Sequence, residues 1–122
     1  MVAENRALVR EVARDSQLEV TVAAPVVFRS GLGRIELQPE PVDSNLKLKA
    51  LTARFTQWTQ IFSYDTRSLR MLIGHGDFDV VHAWEEPYIY AGYQIARAMA
   101  RSDAAFCFRT AQNIDKRYPF PF

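Results

Sequence analysis

The spacing of apolar residues changes period several times along this chain, and each change marks an element. Over residues 4–14, Leu8, Val9, Val12 and Ala13 fall on one side of a helix. Asp15-Ser16 breaks that stripe, and Leu18-Glu19-Val20-Thr21-Val22 then alternates and stops before Pro25, which predicts a strand. Residues 26–45 hold Gly31, Gly33, Pro39, Pro41, Asp43 and Ser44, and read as a long loop with a short extended piece at 34–37. Residues 46–51 alternate again, predicting an edge strand with Lys47 and Lys49 on its outer side. From 52 to 73, Phe55, Trp58, Ile61, Phe62, Leu69, Leu72 and Ile73 recur near helical spacing, predicting one long helix or two joined near 63–65. Gly74-His75-Gly76-Asp77 ends it, with Gly74 suited to the left-handed position after a helix. Residues 79–84 form a nearly continuous apolar run, the pattern of a strand buried on both faces. Pro87 suits the first position of a helix, and residues 88–101 carry Ala91, Ile95, Ala98 and Met99 on one stripe. Residues 104–108 read as another buried strand, followed by a polar loop and the tail Tyr118-Pro119-Phe120-Pro121-Phe122.

The order helix, strand, strand, helix, strand, helix, strand predicts an α/β fold, a Rossmann-like open parallel sheet with flanking helices in one domain over 1–122. Such sheets normally open with a strand, whereas this chain opens with a helix. Its 122 residues suit one domain and not two. A content of 48% hydrophobic and 24% charged residues is that of an ordinary globular chain. No apolar run approaches the ~20 residues that span a bilayer, and the first residues lack the apolar core of a secretory signal. Cys107, the single cysteine, excludes an intramolecular disulfide framework and any multi-cysteine zinc site. With 15 basic and 14 acidic side chains, net +1, there is no bulk attraction to nucleic acid.

In open parallel sheets ligands bind beyond the carboxyl ends of the strands, so the strand-to-helix junctions hold the candidate chemistry. Glu85 and Glu86 follow one strand, and carboxylates there can orient sugar hydroxyls. Acidic residues also simply suit a helix N-terminus. Gln112 and Asn113, after the last strand, pair donors with acceptors in a way that suits polyols or holds a loop together. Lys116 and Arg117 are a phosphate-contact candidate or a solvated basic pair. His82 reads as a buried histidine rather than a base, and Cys107 as an inert core residue between two phenylalanines. Phe55, Trp58 and Phe62 read as core packing rather than a stacking platform. Gly31-Leu32-Gly33 lacks the third glycine of the dinucleotide fingerprint and reads as a turn. His75 and His82 lie on different elements, so no metal site is predicted, and neither a serine elbow nor a phosphate loop is present. The chain therefore offers a crevice suited to polyols without a complete catalytic apparatus.

The stretch Gly76-Asp77-Phe78-Asp79-Val80-Val81-His82-Ala83-Trp84-Glu85-Glu86-Pro87-Tyr88 resembles the middle of the N-terminal domain of family 4 retaining glycosyltransferases, which have the GT-B fold. Phe106-Cys107-Phe108-Arg109-Thr110-Ala111-Gln112-Asn113-Ile114, with Lys116-Arg117-Tyr118-Pro119-Phe120-Pro121-Phe122, is similar to the next strand and loop of one branch of that family. The resemblance implies an acceptor-side role, with Glu85, Glu86, Gln112 and Asn113 bordering the cleft. Gln112 stands where many members carry a histidine, leaving hydrogen bonding rather than proton transfer at that position. It further implies a parent enzyme that moves a sugar from a nucleotide-sugar co-substrate to a hydroxyl acceptor with retention, without a metal or other cofactor. The family's first strand with its glycine-rich turn, and its C-terminal donor domain with an E-x7-E motif, have no counterpart here. The expectation is thus an N-terminal-domain fragment, inactive alone, cytoplasmic with or without peripheral attachment at the inner membrane surface, and self-associating through open strand edges. The rival expectations are a standalone Rossmann-like or flavodoxin-like binding or interaction module, and a structural protein docking through its aromatic tail.

Overall fold

A computed structural model describes residues 3–30, 33–37 and 45–110. In chain order the elements are α1 (Ala3–Val12), β1 (Val20–Pro25), β2 (Val27–Ser30), β3 (Gly33–Glu36), β4 (Leu46–Leu51), β5 (Ala53–Arg54), β6 (Ser63–Tyr64), α2 (Thr66–His75), β7 (Val80–Ala83), α3 (Tyr90–Met99) and β8 (Ala105–Phe108). The fold is mixed α/β. Among the described residues its strands hydrogen-bond in pairs: β1 with β4 and β7 with β8 are parallel, β2 with β3 and β5 with β6 antiparallel.

Two hydrophobic clusters hold these elements together. The larger joins Leu51, Phe62, Tyr64, Leu69, Ile73, Ala83, Ile89 and the buried stripe of α3, with Val81 and Phe28 packed against it. The smaller joins Val9 of α1 and Ala13, just past its end, to Leu46, with Val20, Val22 and Trp84 beside them. Leu46 and Leu51 lie an odd number of positions apart on β4 and so point to opposite faces. α1 therefore covers one face of the β1–β4 ladder, while the cluster containing α2 and α3 gathers on the other.

The stripe predicted for α3 is observed in full: Ala91, Ile95, Ala98 and Met99 are all buried. β4 has the predicted bounds, pairs only with β1 among the described residues, and exposes Lys47 and Lys49. Lys47 Nζ reaches Glu19 Oε2 at 2.9 Å. Along and just past α1 the buried stripe is narrower than predicted, since Val9 and Ala13 are buried but Leu8 and Val12 are exposed.

Other expectations are corrected. β1 starts later than predicted and runs through Pro25 rather than ending before it. Pro25 lies at the strand's end, where its missing N–H breaks no interior ladder bond. Within residues 26–45 the extended piece predicted at 34–37 matches β3, but the rest is not all loop, because β3 pairs with β2 in a hairpin whose register sets Ser30 opposite Gly33. Gly33 has φ +112°, a conformation that favours glycine.

The long helix predicted from residue 52 is absent over its first part. β5, a run of turns and β6 occupy that stretch, and α2 starts only at Thr66. Phe55 takes φ +56°, which reverses the chain where a helix would continue. Of the aromatics placed there, only Phe62 is core, at 2% exposure. Phe55 and Trp58 are about half exposed and stack on each other, their centroids 6.2 Å apart. α2 continues through Gly74 to His75, with Gly76 as C-cap in right-handed geometry, and Asp77 takes the left-handed position instead.

β7 and β8 are not buried on both faces. Val80 is 60% exposed, and all four residues of β8 are exposed, Cys107 included, so Cys107 is not a core residue. The β7–β8 register puts Val80, His82, Ala105 and Cys107 on one face. None of these four belongs to either hydrophobic cluster. His82 is accordingly exposed rather than buried.

Candidate functional site

The carboxyl end of β7 leads directly into Trp84-Glu85-Glu86-Pro87. Arg109 N donates to Ala83 O at 2.9 Å, which extends the β7–β8 ladder and brings the start of the polar loop after β8 to the same edge. α3 does not start at Pro87 as predicted. Its N-cap is Ile89, and Ile89 N donates to Glu86 O at 3.1 Å to close a turn over residues 86–89. Glu85 thus precedes this turn and Glu86 opens it, so neither lies in the first turn of the helix, which removes helix-dipole stabilisation as the reason for their position. α3 approaches this turn closely because residue 92 is glycine: a Cβ there would collide with the Glu86 carbonyl oxygen and lie 3.3 Å from Pro87 Cα.

Glu85 is half-buried, and Tyr64 Oη donates to its Oε1 at 2.8 Å, leaving Oε2 outside that bond. Burial raises the Glu85 carboxyl above the ordinary glutamate range, and the Tyr64 hydrogen bond opposes that rise. Tyr64 titrates far above its usual value because it is buried first and lies against a carboxylate second. Its ring is wedged edge-on against Phe62 at 4.8 Å, and Phe62 in turn meets Phe28 at 5.6 Å.

The backbone of Tyr64 is held just as firmly. Asp65 N donates to Thr52 O at 2.8 Å, so the Ala53–Tyr64 pair is the one without direct ladder bonds. The N–H and C=O of Tyr64 therefore point away from β5, and the buried side chain of Gln94 on α3 meets both. Gln94 Oε1 accepts from Tyr64 N at 2.9 Å, and Nε2 donates to Tyr64 O and to Thr66 Oγ1, each at 3.1 Å. A single carboxamide does there what a neighbouring strand would do. α2 begins immediately afterward, its N-cap Asp65 accepting through Oδ2 from Ser68 N at 2.8 Å and Ser68 Oγ at 2.7 Å. These bonds hold the Asp65 carboxyl below the usual carboxylate range.

Of the residues singled out in the sequence, Glu85 and Glu86 lie together at this strand end, both half-buried. Gln112, Asn113, Lys116 and Arg117 fall outside the described residues. His82 is close by but points to another partner: Trp84 Nε1 donates to His82 Nδ1 at 3.3 Å. Sequence reasoning missed Tyr64 and Gln94, which position Glu85 from below. The mixed aromatic spacing over 55–64 obscured Tyr64. Gln94 stood as one polar residue on an otherwise apolar stripe, which was the only available signal. The site presents a carboxyl with one oxygen fixed by a rigid phenol, suited to hydrogen bonding with hydroxyl groups. Comparison with family models, curated proteins and solved structures gave no match for this chain.

Proposed function

We propose that this chain forms the acceptor-facing side of a sugar-transfer cleft in a retaining glycosyltransferase of GT-B type, with Glu85 and Glu86 hydrogen-bonding hydroxyls at the cleft. The observation that carries this reading is the position of Glu85, immediately beyond the carboxyl end of a parallel strand and oriented by Tyr64 at 2.8 Å. The resemblance of residues 76–88 and 106–122 to the acceptor-side domain of that family supports it. In this reading Gln112 and Asn113 also border the cleft, Lys116 and Arg117 contact phosphate, and a nucleotide sugar serves as co-substrate of the complete enzyme. No helix among the described residues is long and apolar enough to cross a membrane. The reading carries with it a cytoplasmic enzyme, with or without peripheral attachment at the inner membrane surface.

The same reading makes the two parallel ladders portions of one Rossmann-like sheet. Each of β1, β4, β7 and β8 has one edge unpaired among the described residues, and in this reading the family's first strand would join the two ladders. Exposed edges of this kind pair with other chains, so the isolated chain self-associates. Light scattering that shows a monomer at high concentration overturns that consequence.

The functional reading is tested by titrating the protein with methyl glycosides, simple hydroxyl-bearing acceptor mimics, and following backbone amide shifts. Perturbations should centre on Trp84, Glu85 and Glu86 and vanish in Glu85→Ala. Saturable shifts elsewhere, or shifts unchanged by E85A, refute it. With a nucleotide sugar added, the chain alone should transfer no sugar, because the donor-side groups that stabilise the transition state lie outside it.

A further inference from the structure

Another place in the fold has the makings of a ligand site. Thr66, Leu69 and Arg70 of α2 and Tyr90, Tyr93, Gln94 and Arg97 of α3 line a cleft of about 270 Å³. The spacings are those of one helix face in each case, so two facing stripes build the walls. Leu69 and Gln94 are buried at its floor, while Arg70, Arg97, Tyr90 and Tyr93 are exposed. No lining residue is acidic, and neither arginine joins an ion pair among the described residues. Arg97 Nη1 donates to Tyr93 Oη at 3.1 Å, which fixes the guanidinium relative to the phenol. The Tyr90 and Tyr93 rings lie side by side, centroids 6.1 Å apart at 35°. Gln94 is already committed to Tyr64 and Thr66, so the arginines and the tyrosine hydroxyls remain to meet a ligand.

We infer that this α2–α3 cleft binds a small aromatic phosphate, its phosphate between Arg70 and Arg97 and its ring against Tyr90, Tyr93 and Leu69. Two guanidinium forks and two phenols supply more donors than one carboxylate can accept, and a phosphate's three free oxygens use them better. The cleft's volume lies just below the usual ~300–1,000 Å³ range of ligand pockets and is room enough for one ring and its phosphate. No residue of the cleft belongs to the turn that carries Glu85 and Glu86, and the inference does not rest on the sugar-transfer reading; the two places are linked through Gln94, which lines the cleft and holds Tyr64.

The test is an amide-shift titration of the whole chain with phenyl phosphate, inorganic phosphate and phenol in parallel. Phenyl phosphate should shift Leu69, Arg70, Tyr93 and Arg97 saturably and bind more tightly than either inorganic phosphate or phenol. Arg70→Ala and Arg97→Ala should each weaken it about tenfold, the loss expected for one hydrogen bond to a charged group. Both side chains are exposed, so the dispersed spectra of the variants should persist. Overturning results are an absence of saturable shifts, shifts mapping to another surface, or binding that survives both substitutions. On the unmodified protein, phenol binding as tight as phenyl phosphate overturns it equally, with no dependence on how the variants fold.

Discussion

Replacing Gln94 with methionine asks whether one carboxamide ties α3 to the strand before α2. Methionine keeps the length and apolar contacts of the side chain while deleting its three hydrogen bonds, at 2.9, 3.1 and 3.1 Å. Gln94 and Tyr64 are 8% and 7% exposed, so water cannot readily replace what is lost. Each intact bond contributes a net ~1 kcal/mol, and a buried backbone donor or acceptor left unmet costs roughly 1–3 kcal/mol. Two of the three bonds serve the Tyr64 backbone, so the larger figures apply to them, and Thr66 Oγ1 on the exposed Thr66 can turn to solvent. The expected loss is roughly 3 kcal/mol, a large part of the ~5–15 kcal/mol of an ordinary domain. That corresponds to a fall in Tm of roughly 10 °C for a chain of this size. Urea unfolding followed by tryptophan fluorescence and by far-ultraviolet circular dichroism measures it. Thr66→Val, which removes one exposed-side bond, should cost about 0.5 kcal/mol in the same assay. A Q94M loss below about 1 kcal/mol would mean the Tyr64 backbone finds other partners, and the bridging role of Gln94 would be refuted.

Three further outcomes follow from the geometry. Glu85→Gln keeps an acceptor for Tyr64 and removes a carboxyl that burial holds above its unfolded value. A raised folded pKa adds stability at acid pH that is lost as pH rises through it, so wild type should gain on E85Q between neutrality and about pH 4.3. Urea midpoints across that range that show wild type losing ground on acidification contradict the assignment. Gly92→Ala gains helix propensity but drives a Cβ into the Glu86 carbonyl, which is backbone and cannot swing aside. A net loss of about 1–3 kcal/mol in thermal or urea unfolding is expected, and a neutral result would show that α3 sits farther from the turn. Asp65→Ala should destabilise α2 at neutral pH while Asp65→Asn retains the cap. Because hydrogen bonds from Ser68 lower the Asp65 pKa, its contribution is present above about pH 3.9 and disappears as pH falls through the lowered value. Acid titrations of stability that coincide for wild type and D65A would contradict this.

How far the sequence could be read depended on the range of the interaction concerned. α3 was legible because its stripe is amphipathic over adjacent turns, and Ala91, Ile95, Ala98 and Met99 all meet the same core. β4 was legible because alternation with lysines is equally local. Glu85 was legible as a candidate because strand ends followed by polar turns are where ligands collect in parallel α/β structures. The same logic failed over 55–62, where Phe55, Trp58, Ile61 and Phe62 keep helical spacing on a chain that turns instead. Spacing does not report that Phe55 reverses the chain with a positive φ.

What the sequence by itself determined is therefore the local layer: the stripe of α3, the alternation of β4, the polar junction after β7, and the absence of a cysteine framework. The tertiary structure alone decided which groups meet. Tyr64 reaches Glu85 across 21 residues and Gln94 across 30, and no periodicity relates positions so far apart. It also decided exposure, leaving Val80, Phe108 and Cys107 near solvent on strands whose composition reads as buried. The physical reason is common to both: an apolar residue is buried, and a polar one paired, only by what packs against it. That partner is set by the path of the whole chain rather than by its neighbours in sequence.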